Sequence, residues 1–186
     1  MKNNSKYLTL EELEASLSLL NQSPKDYGAL ELIVRRPGID EREVISEANL
    51  DVHLGLIGDT WISRKSSSTH DGSANPKAQV TLMNSRVIAL LAQAKEDWPL
   101  AGDQLYVDLD LSTTNLPPAA RLKVGSAIIE ITDQPHTGCK KFAERFGQDA
   151  FRFVNAQAHR DLRLRGANAK VIQSGTIRVG DIVEVI

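Results

Sequence analysis

The sequence predicts a mainly β protein with several peripheral α-helices, and three observations carry that reading. From Gly102 onward, Leu105, Val107, Leu109 and Leu111 alternate with Gln104, Tyr106, Asp108 and Asp110, the period of a half-buried strand. Leu122 and Val124 precede Gly125-Ser126, and Ile129 and Ile131 follow it, which is the pattern of a hairpin. Two further apolar runs, 169–173 and 181–186, close the chain, with Ser174-Gly175 and Gly180-Asp181 as turns.

Taken in order, Thr9 and Glu12 have the spacing of a capping box, and Leu10, Leu13, Leu17 and Leu20 recur at helical intervals, so the reading gives a helix over 10–21. Residues 1–28 are read as a helical extension whose leucine face docks on the rest, and residues 29–186 as the main domain. Ser23-Pro24 ends the helix. Gly28 to Val34 reads as a strand closed by Pro37-Gly38. In the glycine-containing piece from Leu54 to Trp61, Asp59 can brace a turn through its own backbone. Residues 63–78 are polar, with Gly72 and Pro76, and read as a long exposed loop. That loop carries His70 and Asp71, an acid–base pair by type and an ordinary surface pair by context. Val80 to Met83 is a short strand; Asn84 or Ser85 caps a helix with Val87, Ile88, Leu90, Leu91 and Ala94 on its apolar face, and Trp98-Pro99 stops it. Residues 140–153 are helical, with Gly147 as a break. The total is six to eight strands and three or four helices.

A chain of 186 residues with 41% hydrophobic content supplies one sizeable core. Its formal net charge is −2, which argues against nucleic acid and against an anionic membrane as partner. The charge is unevenly spread: residues 140–170 hold eight Lys or Arg against three acids, a segment suited to an anionic ligand or to a solvated helix face. The single cysteine excludes an intrachain disulfide and fits a reducing compartment, no apolar run approaches membrane-spanning length, and the start is acidic and amphipathic rather than a leader, so the expectation is a cytoplasmic protein.

That cysteine, Cys139, follows the flexible Pro135-His136-Thr137-Gly138 and precedes Lys140 and Lys141. Two readings stand. A positive field and the free amides of a helix start favour thiolate, whereas a free cysteine is also commonly a small buried hydrophobe.

The stretch HTGCKKFAERFG (136–147), with RLRGANAKVIQSGTIRVGDIVEV (163–185) behind it, resembles the MOSC domain, the module named for the C-terminal part of molybdenum-cofactor sulfurases and found also as small stand-alone bacterial proteins. Gly58-Asp59, VTLMNSRVIALL and KVGSAIIEIT follow the family's order upstream, so the resemblance covers residues 30 to 186. It implies a barrel-like β fold that binds the molybdenum cofactor (molybdopterin). Cys139 is then the metal ligand or a sulfur acceptor, with His136 beside it as a second catalytic position. Lys141 and Arg145 match basic positions of the pattern, and Asn168 joins them as a cofactor contact. Many members carry Arg-x-Pro directly before the cysteine where this chain has His136-Thr137-Gly138, and the usual Gly-Glu-Asn-Leu stands here as Gly102-Asp103-Gln104-Leu105. For the cofactor's phosphate, strand alternation would set Arg163 and Arg165 on one face and Leu162 and Leu164 on the other, so that two guanidinium groups meet one anion.

Three functions follow. The first is a molybdenum-dependent oxidoreductase with Cys139 on the metal and electrons from a partner protein, since no flavin or iron–sulfur motif occurs. The second is a sulfur or cofactor carrier with a persulfide on Cys139. The third is an anion-binding β-scaffold with a structural cysteine.

Overall fold

The computed structural model describes residues 7–66 and 69–186. Residues 1–6 of the N-terminal extension, and Ser67 and Ser68 of the polar loop, lie outside the described residues.

A closed barrel of seven strands forms the body. It begins with β1 (Tyr27–Arg35), and three short strands follow: β2 (Glu43–Ile45), β3 (Glu47–Asp51) and β4 (Gly55–Leu56). Then come β5 (Val80–Asn84), β6 (Leu105–Asp108), β7 (Arg121–Val124), β8 (Ala127–Ile131), β9 (Ala167–Gln173), β10 (Gly175–Arg178) and β11 (Ile182–Val185). Around the barrel the order is β1, β6, β5, β9, β8, β7 and β11, and β11 returns to pair with β1. Among the described residues only β5 and β6 run parallel. They are joined by α3 (Ser85–Ala92), as a parallel pair requires a crossover. β2 extends the sheet beyond β1, and β10, β3 and β4 form a separate three-stranded sheet.

Apolar side chains fill two layers. Leu30, Ile33, Leu82, Leu105, Val107, Leu122, Ile129 and Val183 pack inside the barrel. Met83, Tyr106, Val87 and Ile88 lie outside it, with Leu13 and Leu20 from the N-terminal helices and Phe142, Phe146 and Phe153 from α4 (Lys140–Asn155). Each side chain fully removed from water contributes about 1.5–3 kcal/mol before entropy is counted, so the helical layer is an integral part of the core.

This second layer corrects the half-buried reading of β6. Tyr106 and Gln104 are buried, because helices cover the outer face. The tyrosine hydroxyl is satisfied by donating to the Trp98 carbonyl at 2.7 Å. The ladder also stops at Asp108, with Leu109 and Leu111 buried past its end.

The capping box is formed: the Thr9 amide donates to Glu12 Oε2 at 2.8 Å, and the Glu12 amide to Thr9 Oγ1 at 3.3 Å. The expected helix over 10–21 is instead two, α1 (Leu10–Ala15) and α2 (Leu17–Leu20). At the junction the Ser16 hydroxyl bonds back to the Glu12 carbonyl, a local competitor of the helix ladder. Asn84 caps α3 through its Oδ1, the Gly125-Ser126 hairpin joins β7 to β8, and Gly147 breaks α4 with φ +90°. Eleven strands occur among the described residues against the six to eight expected. Short β2 to β4 were not predicted, and Ser174-Gly175 leads into β10 rather than being only a turn.

Candidate functional site

The chain leaves β8 at Ile131 and crosses one end of the barrel before α4 begins, and this crossing carries His136 and Cys139. It is pinned along its length. The Thr132 hydroxyl donates to the Lys77 carbonyl at 2.6 Å, and the Thr132 amide to the Asn168 carbonyl at 2.9 Å. The Asn168 side chain, buried on β9, donates to the carbonyls of Gln134 and Pro135 at 3.1 and 3.2 Å. Asn155 near the end of α4 accepts from the Gly138 amide at 2.9 Å and donates to its carbonyl at 3.3 Å. Asn168 is thus a residue that shapes the crossing, and its amide protons are already engaged.

Cys139 is exposed, not a buried hydrophobe, and sits at the N-cap of α4 with no side-chain capping bond. Lys140 points to solvent, with only a 3.8 Å contact to Glu144. Lys141 reaches Asp40 at 2.7 Å, and Arg145 joins the same carboxylate at 3.0 Å while donating to the Leu100 carbonyl.

Two clefts flank the crossing and share Gln134, Pro135, His136, Thr137 and Asn168 as a common wall. The first, of about 400 Å³, mixes signs, with Arg160 and Arg163 facing Asp133 and Asp161. The second, of about 380 Å³, is lined by Arg36, Arg64 and Lys65 with no acid. Lys65 makes no ion pair among the described residues, and Arg64 bonds only the Thr60 hydroxyl. Cys139 lines neither cleft, but Thr137, two residues away, lines both, and two residues of chain span at most about 7 Å.

The strand expected at 163–165 is absent. Arg163 has left-handed backbone, φ +47°, at the end of a 3-10 turn, and β9 starts only at Ala167. The alternation that would set the two arginines on one strand face is therefore not formed, although both line the first cleft. Arg163 donates to the carbonyls of Leu111 and Leu116 at 3.3 and 2.6 Å. Arg165 is buried, with Nη1 on Asp103 Oδ2 at 2.5 Å and Nη2 on the Ala101 carbonyl at 2.9 Å, its guanidinium 4.9 Å from the Phe142 ring centre.

Asp103 also receives His136, Nε2 to Oδ1 at 2.7 Å. Burial pushes the Asp103 carboxyl up, yet Arg165 and His136 more than offset this and hold it at about 2. Burial, and then Arg165, push His136 below the ordinary histidine range. The ring is neutral at physiological pH. Asp103 went unrecognised in the sequence because its partners are 33 and 62 residues away. Arg36, Arg64 and Lys65 were missed as well, although the Arg64-Lys65 pair in a polar loop was a visible signal. Asp59 braces its own turn as expected, accepting from the Trp61 amide at 2.8 Å, and in addition binds Arg36. His70 and Asp71 are exposed and line neither cleft, and Asp71 caps the Ser73 amide.

Fold and site together define a small barrel protein with an exposed thiol next to a cation-lined cleft. The MOSC domain family model matches residues 68–184, and the chain belongs to that family, which is linked to the molybdenum cofactor or to sulfur-related functions. Among solved structures it resembles YuaD from Bacillus subtilis, with a TM-score of 0.60 and 16% identity, covering 86% of this chain and 95% of that one. It also resembles YiiM from Geobacillus stearothermophilus, TM-score 0.57 and 12% identity over 86% and 75% of the two chains. YiiM from Escherichia coli gives a TM-score of 0.52 and 19% identity over 85% and 69%. At such identities the likeness shows the fold. No curated protein matches the sequence. No helix among the described residues is long and apolar enough to cross a membrane.

Proposed function

We propose that this protein binds the molybdenum cofactor across the clefts beside residues 134–137, with the Cys139 thiolate as metal ligand, and acts as a cytoplasmic molybdenum-dependent oxidoreductase fed by an electron-donor protein. The observation that carries the reading is the acid-free cleft of Arg36, Arg64 and Lys65 opening within two residues of an exposed thiol. The residues fit the group. Each cleft lies in the size range of small-molecule sites. Guanidinium and ammonium donors suit a phosphate, and a soft thiolate suits a molybdenum–dithiolene centre. Among the described residues no three His, Cys, Asp or Glu side chains cluster to hold a metal by themselves, which matches a metal whose other ligands come from a pterin dithiolene. When bound, the cofactor would supply oxygen-atom or electron transfer at molybdenum. The chain's part is to position it: Asn168 and Asn155 fix the crossing, Asp59 orients Arg36, and Arg64 and Lys65 offer charge to the phosphate. Arg163, Arg165, Lys141 and Arg145 act through internal partners and hold the walls.

One observation favours a second reading. Cys139 lines neither cleft, so its thiol is open to a partner, as a sulfur carrier with a Cys139 persulfide would need.

Protein purified from a molybdenum-replete host tests both. The oxidoreductase reading expects molybdenum and oxidised-pterin fluorescence in equal amounts, lost in Arg64→Gln/Lys65→Gln. The carrier reading expects the mass of one added sulfur on Cys139 and no stoichiometric metal. Finding neither in folded protein overturns both.

A further inference from the structure

The Asp103–His136 contact fixes a property of the cleft wall that the cofactor reading leaves open. Asp103 is fully buried and charged, and a carboxylate only accepts hydrogen bonds, so the neutral imidazole carries its proton on Nε2, the nitrogen 2.7 Å from Asp103 Oδ1. Arg165 holds the other carboxylate oxygen and is itself fixed by the Ala101 carbonyl and the Phe142 ring, so the carboxylate cannot turn away. Nδ1 is left as a lone-pair acceptor. Among the described residues no donor reaches it, and the ring borders both clefts.

We propose that His136 Nδ1 is a specificity-determining acceptor that makes the second cleft select an oxyanion still carrying an O–H, a phosphate or phosphate monoester, over a fully ionised anion of the same shape. This rests on reading that cleft as an anion site; on the cofactor reading above, the group selected is the cofactor's phosphate. Arg64 and Lys65 attract any oxyanion and cannot tell two of similar shape apart. A fixed lone pair can. It repels an ionised oxygen and bonds an O–H. Near neutral pH every inorganic phosphate ion keeps at least one O–H, and a phosphate monoester keeps one in part of its population, whereas sulfate keeps none and carries slightly more charge. Charge alone would thus rank sulfate first, and the acceptor reverses the order.

The test uses full-length, ¹⁵N-labelled protein from a host unable to make the pterin. Long-range ¹H–¹⁵N correlation, with His136 assigned by comparison with His136→Phe, is expected to show a proton on Nε2 and a bare Nδ1; a proton on Nδ1 overturns the proposal. Titration with inorganic phosphate and with sulfate near pH 7 is then expected to favour phosphate about tenfold, the worth of one neutral hydrogen bond, and to move the Nδ1 resonance. In His136→Phe the ratio should fall to about one or below. Equal binding in the wild type, or an unmoved His136 signal, overturns the proposal even if the variant does not fold. Phosphate selectivity in a protein that never takes up pterin would support the His136 assignment and remove the cofactor reading, so the two fail separately.

Discussion

Arg36 and Asp59 form a buried two-pronged ion pair, Nε to Oδ2 at 2.7 Å and Nη2 to Oδ1 at 2.8 Å. The same arginine donates to the Gly102 carbonyl at 3.0 Å, so it ties the turn that leads to Arg64 and Lys65 to the segment that carries Asp103. Removing one partner strands the other charge. Asp59→Ala is expected to cost about 3–5 kcal/mol, read from urea unfolding midpoints. A loss under about 1 kcal/mol would mean that water replaces the carboxylate and that the pair does not organise the cleft.

Acid should weaken the fold in two windows. His136 has its pKa lowered by folding, so the unfolded chain takes up a proton first, and stability declines as pH drops below about 6.5. Asp103 is depressed from 3.8 to about 2, so its contribution, about 2 kcal/mol, is complete above pH 4 and is lost as pH falls toward 2. Unfolding midpoints against pH should therefore show an upper decline that disappears in His136→Phe and a lower one that remains. An unchanged upper decline in that variant would assign it to another group.

The N-terminal helices should matter for stability and not for ligand. Leu13 is 1% exposed and packs in the helical layer with Phe142 and Phe146. Leu13→Ala is expected to cost about 2–5 kcal/mol in thermal or urea unfolding while phosphate affinity stays within about twofold of the parent. A variant of normal stability that loses affinity would place α1 at the site.

Gly166 separates Arg165 from β9 with φ +114°, and a Cβ there would fall on the Leu82 carbonyl oxygen. Neither the dihedral nor the space admits a side chain. Gly166→Ala is expected to give little soluble folded protein, judged by yield and circular dichroism; a stable variant would show that the 163–166 turn can move.

Much of the fold was legible because it rests on short-range signals. The Thr9–Glu12 box, the Asn84 cap, the Gly125-Ser126 hairpin and the Gly147 break each lie within a few residues. β3 was not legible because only Ala48 and Leu50 alternate in it, too few to show a period. Tyr106 alternates with Leu105 and Val107 and so reads outward, since a single strand does not reveal that helices roof it. Of the candidate site, the exposed segment that carries His136 and Cys139 was legible from its Pro-His-Thr-Gly composition. The strand at Arg163 and Arg165 was not legible because two residues at a spacing of two fit a 3-10 turn as well as a strand, and Asp103 and Arg36 work through partners that only the closed barrel brings near.

In the proposed function Cys139 ligates a cofactor-borne metal held beside residues 134–137. X-ray absorption at the molybdenum edge of the purified protein, compared with Cys139→Ser at equal metal content, tests it most directly. The expected result is a sulfur shell one scatterer larger in the parent than in the variant. An identical sulfur shell in the two proteins, or folded parent protein that takes up no molybdenum from a replete host, would contradict it.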